Sequence, residues 1–268
     1  MRSDLDIWVV PDFAEILGFD PSKLQTDLES NYPVVGKDEE IATCTTQWVD
    51  GSNKALNYRG HDLKRSKMWF QRGDPKSIGF IKYFYTGWQN RILGATSDVN
   101  ACPELAPIAD KYDEWAKELS FPIANHYIIT RYVDGSHHIG WHHDKPNSIQ
   151  PGSLITVVKI GSHGRPFQLR DRVFLEKQSD EDEKVFKKRS DKAQDNEKPF
   201  FDQVLAPGSA VIMTLEANLK TQHGVPVVEI SGPSGSLVFR TITERAAMKR
   251  ESTSTPQIPK RNRVEAQT

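Results

Sequence analysis

The sequence has few cysteines, no long apolar runs and almost equal numbers of basic and acidic side chains. Its 268 residues include only Cys44 and Cys102. This excludes a disulfide framework and favours a reducing, intracellular compartment, either cytoplasmic or nuclear. No apolar run approaches the roughly 20 residues of a membrane span, and residues 1–20 lack a signal-peptide core. The 35 basic and 36 acidic side chains exclude a globally basic nucleic-acid binder, although a local basic patch is compatible with them.

The chain divides into segments of different composition. Apolar residues at helical spacing predict a helix over 104–120. After Pro122, short β-branched and aromatic runs separated by Gly or Pro predict strands at 123–133, 136–144, 153–160, 166–176, 209–215, 222–230 and 235–243. We therefore expect a mainly β fold with flanking helices (α+β), built as a jelly roll. The predicted organisation is an N-terminal extension (1–77), a β domain (78–243) with a charged, solvated insertion (171–203), and a basic, disordered tail (244–268).

The sharpest local pattern is the histidine-rich run at 137–144. Alternate residues of a strand share a face, so His142 and Asp144 should point the same way and His143 the opposite way. One imidazole and one carboxylate supply two thirds of a facial triad for non-haem Fe(II). His223, which follows a later strand, is the natural candidate for the third ligand. Clustered histidines are also common on protein surfaces without any such role.

The context of this run resembles a known family. Residues 127–144 resemble the core of AlkB-like Fe(II)/2-oxoglutarate dioxygenases, and residues 207–213, 223–226 and 237–240 resemble its later strands in the same order. The resemblance implies a double-stranded β-helix that binds Fe(II) through His142, Asp144 and His223. It also implies 2-oxoglutarate and O2 as cosubstrates, with no catalytic side chain beyond the metal site.

The resemblance also assigns cosubstrate residues, with two departures. Arg240 matches the family's terminal arginine and Tyr132 its cosubstrate-binding tyrosine. Thr130 stands where the family has asparagine, and Ser234 where it has the arginine for the distal C5 carboxylate. Lys159 interrupts an apolar strand on the face expected to point inward. It either replaces the missing arginine, similar to the lysine of JmjC-type oxygenases, or extends outward to solvent.

Residues 58–76 combine basic and aromatic side chains. Basic groups can follow phosphates and aromatic rings can stack on bases, and in AlkB-like enzymes this part of the chain forms a nucleotide-recognition lid. Such a loop can equally be a soluble segment with core anchors. The candidate substrate residues, which include two tyrosines that resemble the pair after that lid, are Arg65, Lys67, Trp69, Phe70, Tyr83 and Tyr85.

These observations predict a dioxygenase that demethylates or hydroxylates a modified base in nucleic acid, as a monomer without a membrane partner. Lys145 follows Asp144 where DNA-repair members of the family carry an acid, so a cationic methylated base is disfavoured. The alternative targets are an uncharged modified base such as a 5-methylpyrimidine, an RNA, or a protein side chain. The alternatives are the same chemistry on a protein or small molecule, and a catalytically silent jelly-roll binding module.

Overall fold

Two facing β-sheets dominate the described part of the chain. A computed structural model of the protein describes residues 4–56, 61–73, 96–146, 149–229 and 232–243. The strands are β1 (Ile7–Val10), β2 (Val34–Val35), β3 (Trp48–Val49), β4 (Ser66–Gln71), β5 (Thr96–Asp98), β6 (His126–Tyr132), β7 (Ile139–His142), β8 (Leu154–Gly161), β9 (Arg165–Asp171), β10 (Pro199–Leu205), β11 (Ala210–Thr214), β12 (Thr221–Val225) and β13 (Ser234–Arg240).

Within the described ranges, the major sheet has nine strands and the minor sheet has four. The order in the major sheet is β1-β11-β8-β13-β6-β4-β3-β2, with β5 beside β4. The order in the minor sheet is β10-β9-β12-β7. Neighbouring strands are antiparallel except for the pairs β2–β3 and β4–β5. This β-rich architecture confirms the predicted jelly roll.

Five helices lie in the described part of the chain, and the first three of them pack on the outer face of the major sheet. They are α1 (Phe13–Ile16), α2 (Pro21–Asn31), α3 (Ala106–Glu118), α4 (Glu183–Asn196) and α5 (Leu215–Lys220), with a 3-10 turn at Val99–Ala101. In α3 the predicted apolar stripe packs against the sheet, and the Tyr112 ring stacks on Phe239 with centroids 4.2 Å apart. None of the helices in the described ranges is both long and apolar enough to cross a membrane.

Strand alternation divides the apolar side chains between two cores. Leu154, Val158 and Ile160 of β8 join the outer core between the major sheet and its helices. Ile155 and Val157 of the same strand join the inner core between the two sheets. The face that carries Lys159 is therefore the inner one, as predicted. Both sheets thus contribute side chains to the space between them.

The charged segment 171–203 is more regular than predicted. It contains α4 and most of β10, and β10 pairs along β9 in the minor sheet. Backbone pairing accounts for the strand, whose side chains from Pro199 to Val204 remain partly or fully exposed. No residue of α4 is buried, so the charges of this helix stay in solvent as expected.

The described strands of the N-terminal segment belong to the major sheet. Strand β1 pairs with β11 at one edge of the major sheet, and β4 pairs with β6 near the other. These strands need partners that are distant in sequence, which local patterns do not reveal. The predicted boundary at 77/78 and the tail at 244–268 lie outside the described residues and stay predictions.

Candidate metal centre and pocket

Two histidines and an aspartate converge between the sheets. His142 ends β7 and His223 lies in β12, and the two are direct cross-strand partners with ring centroids 4.2 Å apart. Asp144 follows β7 by two residues. One ligand atom from each of the three residues lies within 4.8 Å of the others. The structure therefore brings together the three side chains that the sequence pattern selected for a metal.

Hydrogen bonds hold these side chains in place. A ring nitrogen of His142, Nδ1, lies 2.9 Å from the carbonyl oxygen of Gly140, which leaves Nε2 free for a metal when Nδ1 carries the proton. The Asp144 backbone N–H donates to Oδ1 of Asn218 at 2.9 Å, and Nδ2 of Asn218 donates to the Asp144 carbonyl at 2.8 Å. Buried Asp144 Oδ2 and His223 Nδ1 have no hydrogen-bond partner among the described residues. Such orphaned donor atoms fit a metal ion.

Electrostatics favour the protonation states that a metal needs. Burial alone would raise the pKa of Asp144, but the charge of Arg240 and the two histidines outweigh it and lower the pKa to about 2. Arg240 Nη2 donates to Asp144 Oδ1 at 2.6 Å. Burial lowers the pKa of His142, and His223 lowers it further. Burial also lowers the pKa of His223. At neutral pH the site thus offers one carboxylate and two neutral imidazoles.

His143 is not a member of this group. Burial lowers the pKa of its imidazole, and the positive charge of Arg172 lowers it further. Its imidazole is neither among the three convergent ligands nor in the lining of the pocket, as expected if side-chain alternation continues past the end of β7. The same alternation brings Asp144 back to the side of His142 although the regular strand has already ended.

A strongly cationic pocket adjoins the triad. Its lining includes Lys67, Lys159, Arg165 and Arg240, and Asp144 is the only carboxylate among the described residues that line it. Thr130 and Tyr132 of β6 also face the pocket. The Tyr132 hydroxyl makes no hydrogen bond of normal geometry with a described residue, and burial raises its pKa to about 12. This pocket suits a ligand with more than one negative charge.

Lys159 is a buried cation inside this pocket. Its side chain is 4% exposed, and Nζ lies 5.1 Å from the centroid of the Tyr132 ring. Burial lowers its pKa to about 7, and Arg165 contributes to the lowering. In the register of the major sheet, Lys159 pairs with Ser236 and Gly161 pairs with Ser234. The lysine does not extend outward to solvent.

Arg165 is a buried guanidinium that the sequence analysis missed. It donates hydrogen bonds to the backbone carbonyls of Asp134 (2.9 Å), Gly135 (3.0 Å), His137 and Pro226 (3.3 Å). Asn218 was missed as well, because an asparagine in a short helix carries no local signal of its role. An arginine in the otherwise apolar start of β9 is the one hint that the sequence offers for Arg165.

Two aromatic residues of the predicted lid lie inside the fold. Trp69 is 3% exposed and Phe70 is fully buried, and both belong to β4. Strand alternation sends Trp69 into the inner core and Phe70 into the outer core. The two rings therefore lie on opposite faces of the sheet and cannot together cover a base.

The basic residues of the same segment have different positions. Arg65 is half-buried, and its Nη1 donates to the carbonyl of His138 at 3.1 Å. Lys67 lines the pocket beside the triad and does not project from a surface loop. Tyr83 and Tyr85 lie outside the described residues, so their predicted contact with a substrate stays a prediction.

Comparison with known proteins agrees with this site. Residues 88–255 match the model of the 2OG-Fe(II) oxygenase superfamily. The human protein "DNA oxidative demethylase ALKBH2" is 28% identical over 137 residues, which cover 51% of this chain and 46% of that protein. The mouse protein of the same name is 28% identical over 137 residues, or 51% of each chain. The chain thus spans about half the length of these relatives.

A solved structure was also found by structural similarity. The chain described as "The structure of OsALKBH1" superposes with a TM-score of 0.47 and 12% sequence identity, over 90% of this chain and 99% of that one. The family model covers well over half of the chain, and the family it describes uses Fe(II) and 2-oxoglutarate. This chain belongs to the 2OG-Fe(II) oxygenase superfamily.

Proposed function

We propose that this dioxygenase oxidatively demethylates or hydroxylates a modified base in nucleic acid. The observation that carries the proposal is the convergence of His142, Asp144 and His223 at a deep cationic pocket between the two sheets. The similarity to two proteins named DNA oxidative demethylases supports nucleic acid as the substrate class. When loaded, such a site oxidises a substrate C–H bond while O2 is consumed and 2-oxoglutarate is converted to succinate and CO2.

The triad is proposed to hold Fe(II), with each residue fixed by its own support. His142 is oriented through Gly140, and Asp144 through Asn218 and Arg240. Two imidazoles and one carboxylate on one side of a metal leave the other positions open for cosubstrates. Supporting contacts of this kind fix the ligands before the metal binds and thereby raise metal affinity.

The cationic residues are proposed to bind 2-oxoglutarate. Its two carboxylates need positive partners, because an unpaired carboxylate is costly in a buried pocket. Arg240 lies against Asp144 and therefore serves the end of the cosubstrate nearer the metal. Tyr132 and Thr130, one on each side of Arg131 in β6, offer hydroxyl groups on the pocket wall.

Lys159 is proposed to pair with the distal C5 carboxylate. It is a buried lysine for which the described residues offer no carboxylate partner, and it lies beside Tyr132. The nearby Ser234 hydroxyl is buried without a hydrogen bond to any described residue. Arg165 lies close by, but its guanidinium already donates to backbone carbonyls. Arg165 keeps only its Nε unpaired, whereas no hydrogen bond to a described residue occupies the ammonium group of Lys159.

The test is a substrate panel with succinate as the readout. The purified protein is incubated with Fe(II), 2-oxoglutarate and O2, and then with methylated DNA, methylated RNA or methylated peptides. We expect succinate in excess of the background with a methylated oligonucleotide, together with loss of the methyl group or gain of one oxygen atom in its mass. A response to peptides alone would replace nucleic acid by protein as the substrate. Failure of every substrate to raise succinate would contradict the proposal.

A further inference from the structure

The part of the pocket around Lys159 contains several buried hydrogen-bond donors without an acceptor. Lys159 is 4% exposed, and among the described residues no hydrogen bond or ion pair to its Nζ is found. Three further buried groups lack a partner of normal geometry in the described ranges, namely Nε of Arg165 and the hydroxyl groups of Tyr132 and Ser234. Buried polar groups in proteins are normally paired, so this cluster points to an anionic group that is held there.

These groups come from neighbouring strands and converge on one ring. Nζ of Lys159 lies 5.1 Å from the centroid of the Tyr132 ring, and the guanidinium carbon of Arg165 lies 5.5 Å from it. Ser234 is the cross-strand partner of Tyr132. The charge that acts on Lys159 is that of Arg165, whereas Asp144 is influenced by Arg240 and the two histidines. The cluster is therefore separate from the metal ligands.

The side chain of Lys159 differs from a surface lysine in its chemical reactivity. Burial lowers its pKa to about 7, and the charge of Arg165 lowers it further. About half of the Lys159 side chains are thus neutral amines at neutral pH. A desolvated neutral amine is a nucleophile, and its enclosure admits only small electrophiles. Carbon dioxide is such an electrophile, and the reaction of this enzyme family releases it when 2-oxoglutarate is decarboxylated.

We propose that Lys159 is a modification site, at which the amine reversibly binds CO2 as a carbamate. The lone pair of Nζ forms a bond to the carbon of CO2, and one C=O π pair becomes a lone pair on oxygen. The proton that leaves the nitrogen passes to water, so no oxidant or reductant takes part. The product carries one negative charge, and the buried donors of Arg165 and Tyr132 offer it hydrogen bonds.

The carbamate competes with 2-oxoglutarate for the same side chain. The C5 carboxylate of the cosubstrate needs the ammonium form of Lys159, whereas the carbamate is itself an anion and repels a second one. A product of the reaction thereby lowers the affinity for the cosubstrate. This consequence rests on the proposed role of Lys159 in binding 2-oxoglutarate. The carbamate itself depends neither on that role nor on the substrate that is oxidised.

Carbon-13 NMR tests the carbamate without any turnover. The full-length protein, loaded with diamagnetic Zn(II) in place of Fe(II), is equilibrated with 13C-labelled bicarbonate and CO2 near neutral pH. We expect a carbamate resonance that is separate from bicarbonate. It should be absent from Lys159→Met and from Lys159→Arg, which keeps a cation but has no nucleophilic amine. Lys198→Met, at an exposed position, is the matched control and should keep the resonance.

Chemical trapping locates the carbamate within the chain, because an α-amino group can also react with CO2. Treatment with triethyloxonium converts a carbamate to its stable ethyl ester, which peptide mass spectrometry detects. We expect the added ethoxycarbonyl group on the wild-type peptide that contains Lys159. A wild-type protein with neither the resonance nor this modified peptide would overturn the inference, whatever substrate the enzyme oxidises.

Addition of 2-oxoglutarate distinguishes this inference from the proposed function. Unlabelled 2-oxoglutarate should remove the carbamate resonance from the Zn(II)-loaded wild-type protein. If two thirds of Lys159 carries CO2, mass action predicts a rise of about threefold in the apparent Kd for 2-oxoglutarate, measured by calorimetry at constant pH and ionic strength. A carbamate that persists with 2-oxoglutarate bound would overturn the competition and the C5 assignment, but not the modification.

Discussion

The side-chain amide of Asn218 makes two hydrogen bonds to the backbone of Asp144. It accepts from the Asp144 N–H at 2.9 Å and donates to the Asp144 carbonyl at 2.8 Å. Both residues are buried. Asp144 lies beyond the last regular pair of β7, where strand hydrogen bonds no longer fix its position. The asparagine therefore replaces the missing strand partner and sets the direction of the carboxylate.

Asn218→Ala should weaken metal binding without removing any ligand. The substitution leaves a buried N–H and C=O of Asp144 unpaired, at a cost of about 1–3 kcal/mol each. We expect the affinity for Mn(II), measured by titration calorimetry, to fall about 10–100-fold. Asn196→Ala, at the exposed end of α4, is the matched control and should bind Mn(II) normally. Unchanged metal affinity in Asn218→Ala would show that Asp144 is positioned by other contacts.

Removal of any one triad residue should abolish 2-oxoglutarate turnover. His142→Ala, Asp144→Ala and His223→Ala each leave two donors, which are too few to hold Fe(II) in an open, ordered site. Succinate formation should fall to the level of a protein-free blank. His143→Ala is the matched control and should retain most of the activity, since its imidazole is not among the convergent ligands. An inactive His143→Ala beside an active His142→Ala would show that the assigned ligands are wrong.

Lys159→Met should weaken 2-oxoglutarate binding specifically. The substitution keeps an unbranched side chain of similar length but removes the charge proposed to meet the C5 carboxylate. We expect the KM for 2-oxoglutarate to rise at least tenfold, equivalent to about 1.4 kcal/mol, with Mn(II) affinity unchanged. Lys198→Met, at an exposed position after α4, should leave KM as it is. A structure with the C5 carboxylate on Arg240 alone would contradict the assignment.

The affinity for 2-oxoglutarate should also depend on pH through Lys159. Burial lowers the pKa of Lys159 to about 7, so the free protein loses this charge as the pH rises above that value. The carboxylate binds the protonated amine, and binding therefore takes up a proton. Affinity should be highest below pH 7 and fall by up to tenfold per pH unit above it. The slope should be smaller in Lys159→Met, and an equal slope in both proteins would assign the effect to another group.

Trp69→Ala should damage the fold and not only the substrate site. The ring is 3% exposed in the inner core, and truncation of a buried tryptophan costs about 3–5 kcal/mol. We expect a clear fall in the midpoint of chemical unfolding, and Phe70→Ala should behave alike. Trp8→Ala, with a side chain 44% exposed, is the control and should change the midpoint little. If Trp69→Ala is stable and loses only oligonucleotide binding, Trp69 is a substrate-binding residue and not only a core residue.

The sequence predicted the parts of the fold that have local signals. The apolar stripe of 104–120 became α3 at Ala106–Glu118, and the run from 153 to 160 became β8 at Leu154–Gly161. The alternation in β8 also placed Lys159 on the inner face. The H-x-D pattern and a later histidine were sufficient to select the three convergent side chains. In each case the spacing of residues within one segment carries the information.

The parts that were missed depend on distant partners. Strand β4 alternates between Met68 and Phe70 on one face and Lys67 and Trp69 on the other. Its dense positive charge favoured a loop, and only the pairing with β6 makes it a strand. Asn218 and Arg165 likewise act on backbone groups that are 74 and about 30 positions away in sequence. Long-range contacts of this kind cannot be read from one segment alone.

The guanidinium of Arg165 has a consequence for the metal-free protein. It donates hydrogen bonds to backbone carbonyls in the turn before β7, at Asp134 to His137, and to the carbonyl of Pro226 just after β12. One buried side chain therefore links the segments next to the two strands that carry the histidines. Contacts within the protein thus fix the relative positions of these two strands without a metal ion. We therefore expect the metal ion to bind to a preformed site, unlike in the small metal domains whose folding is driven by metal binding. The entropy change of metal binding should come mainly from the release of water and not from ordering of the chain.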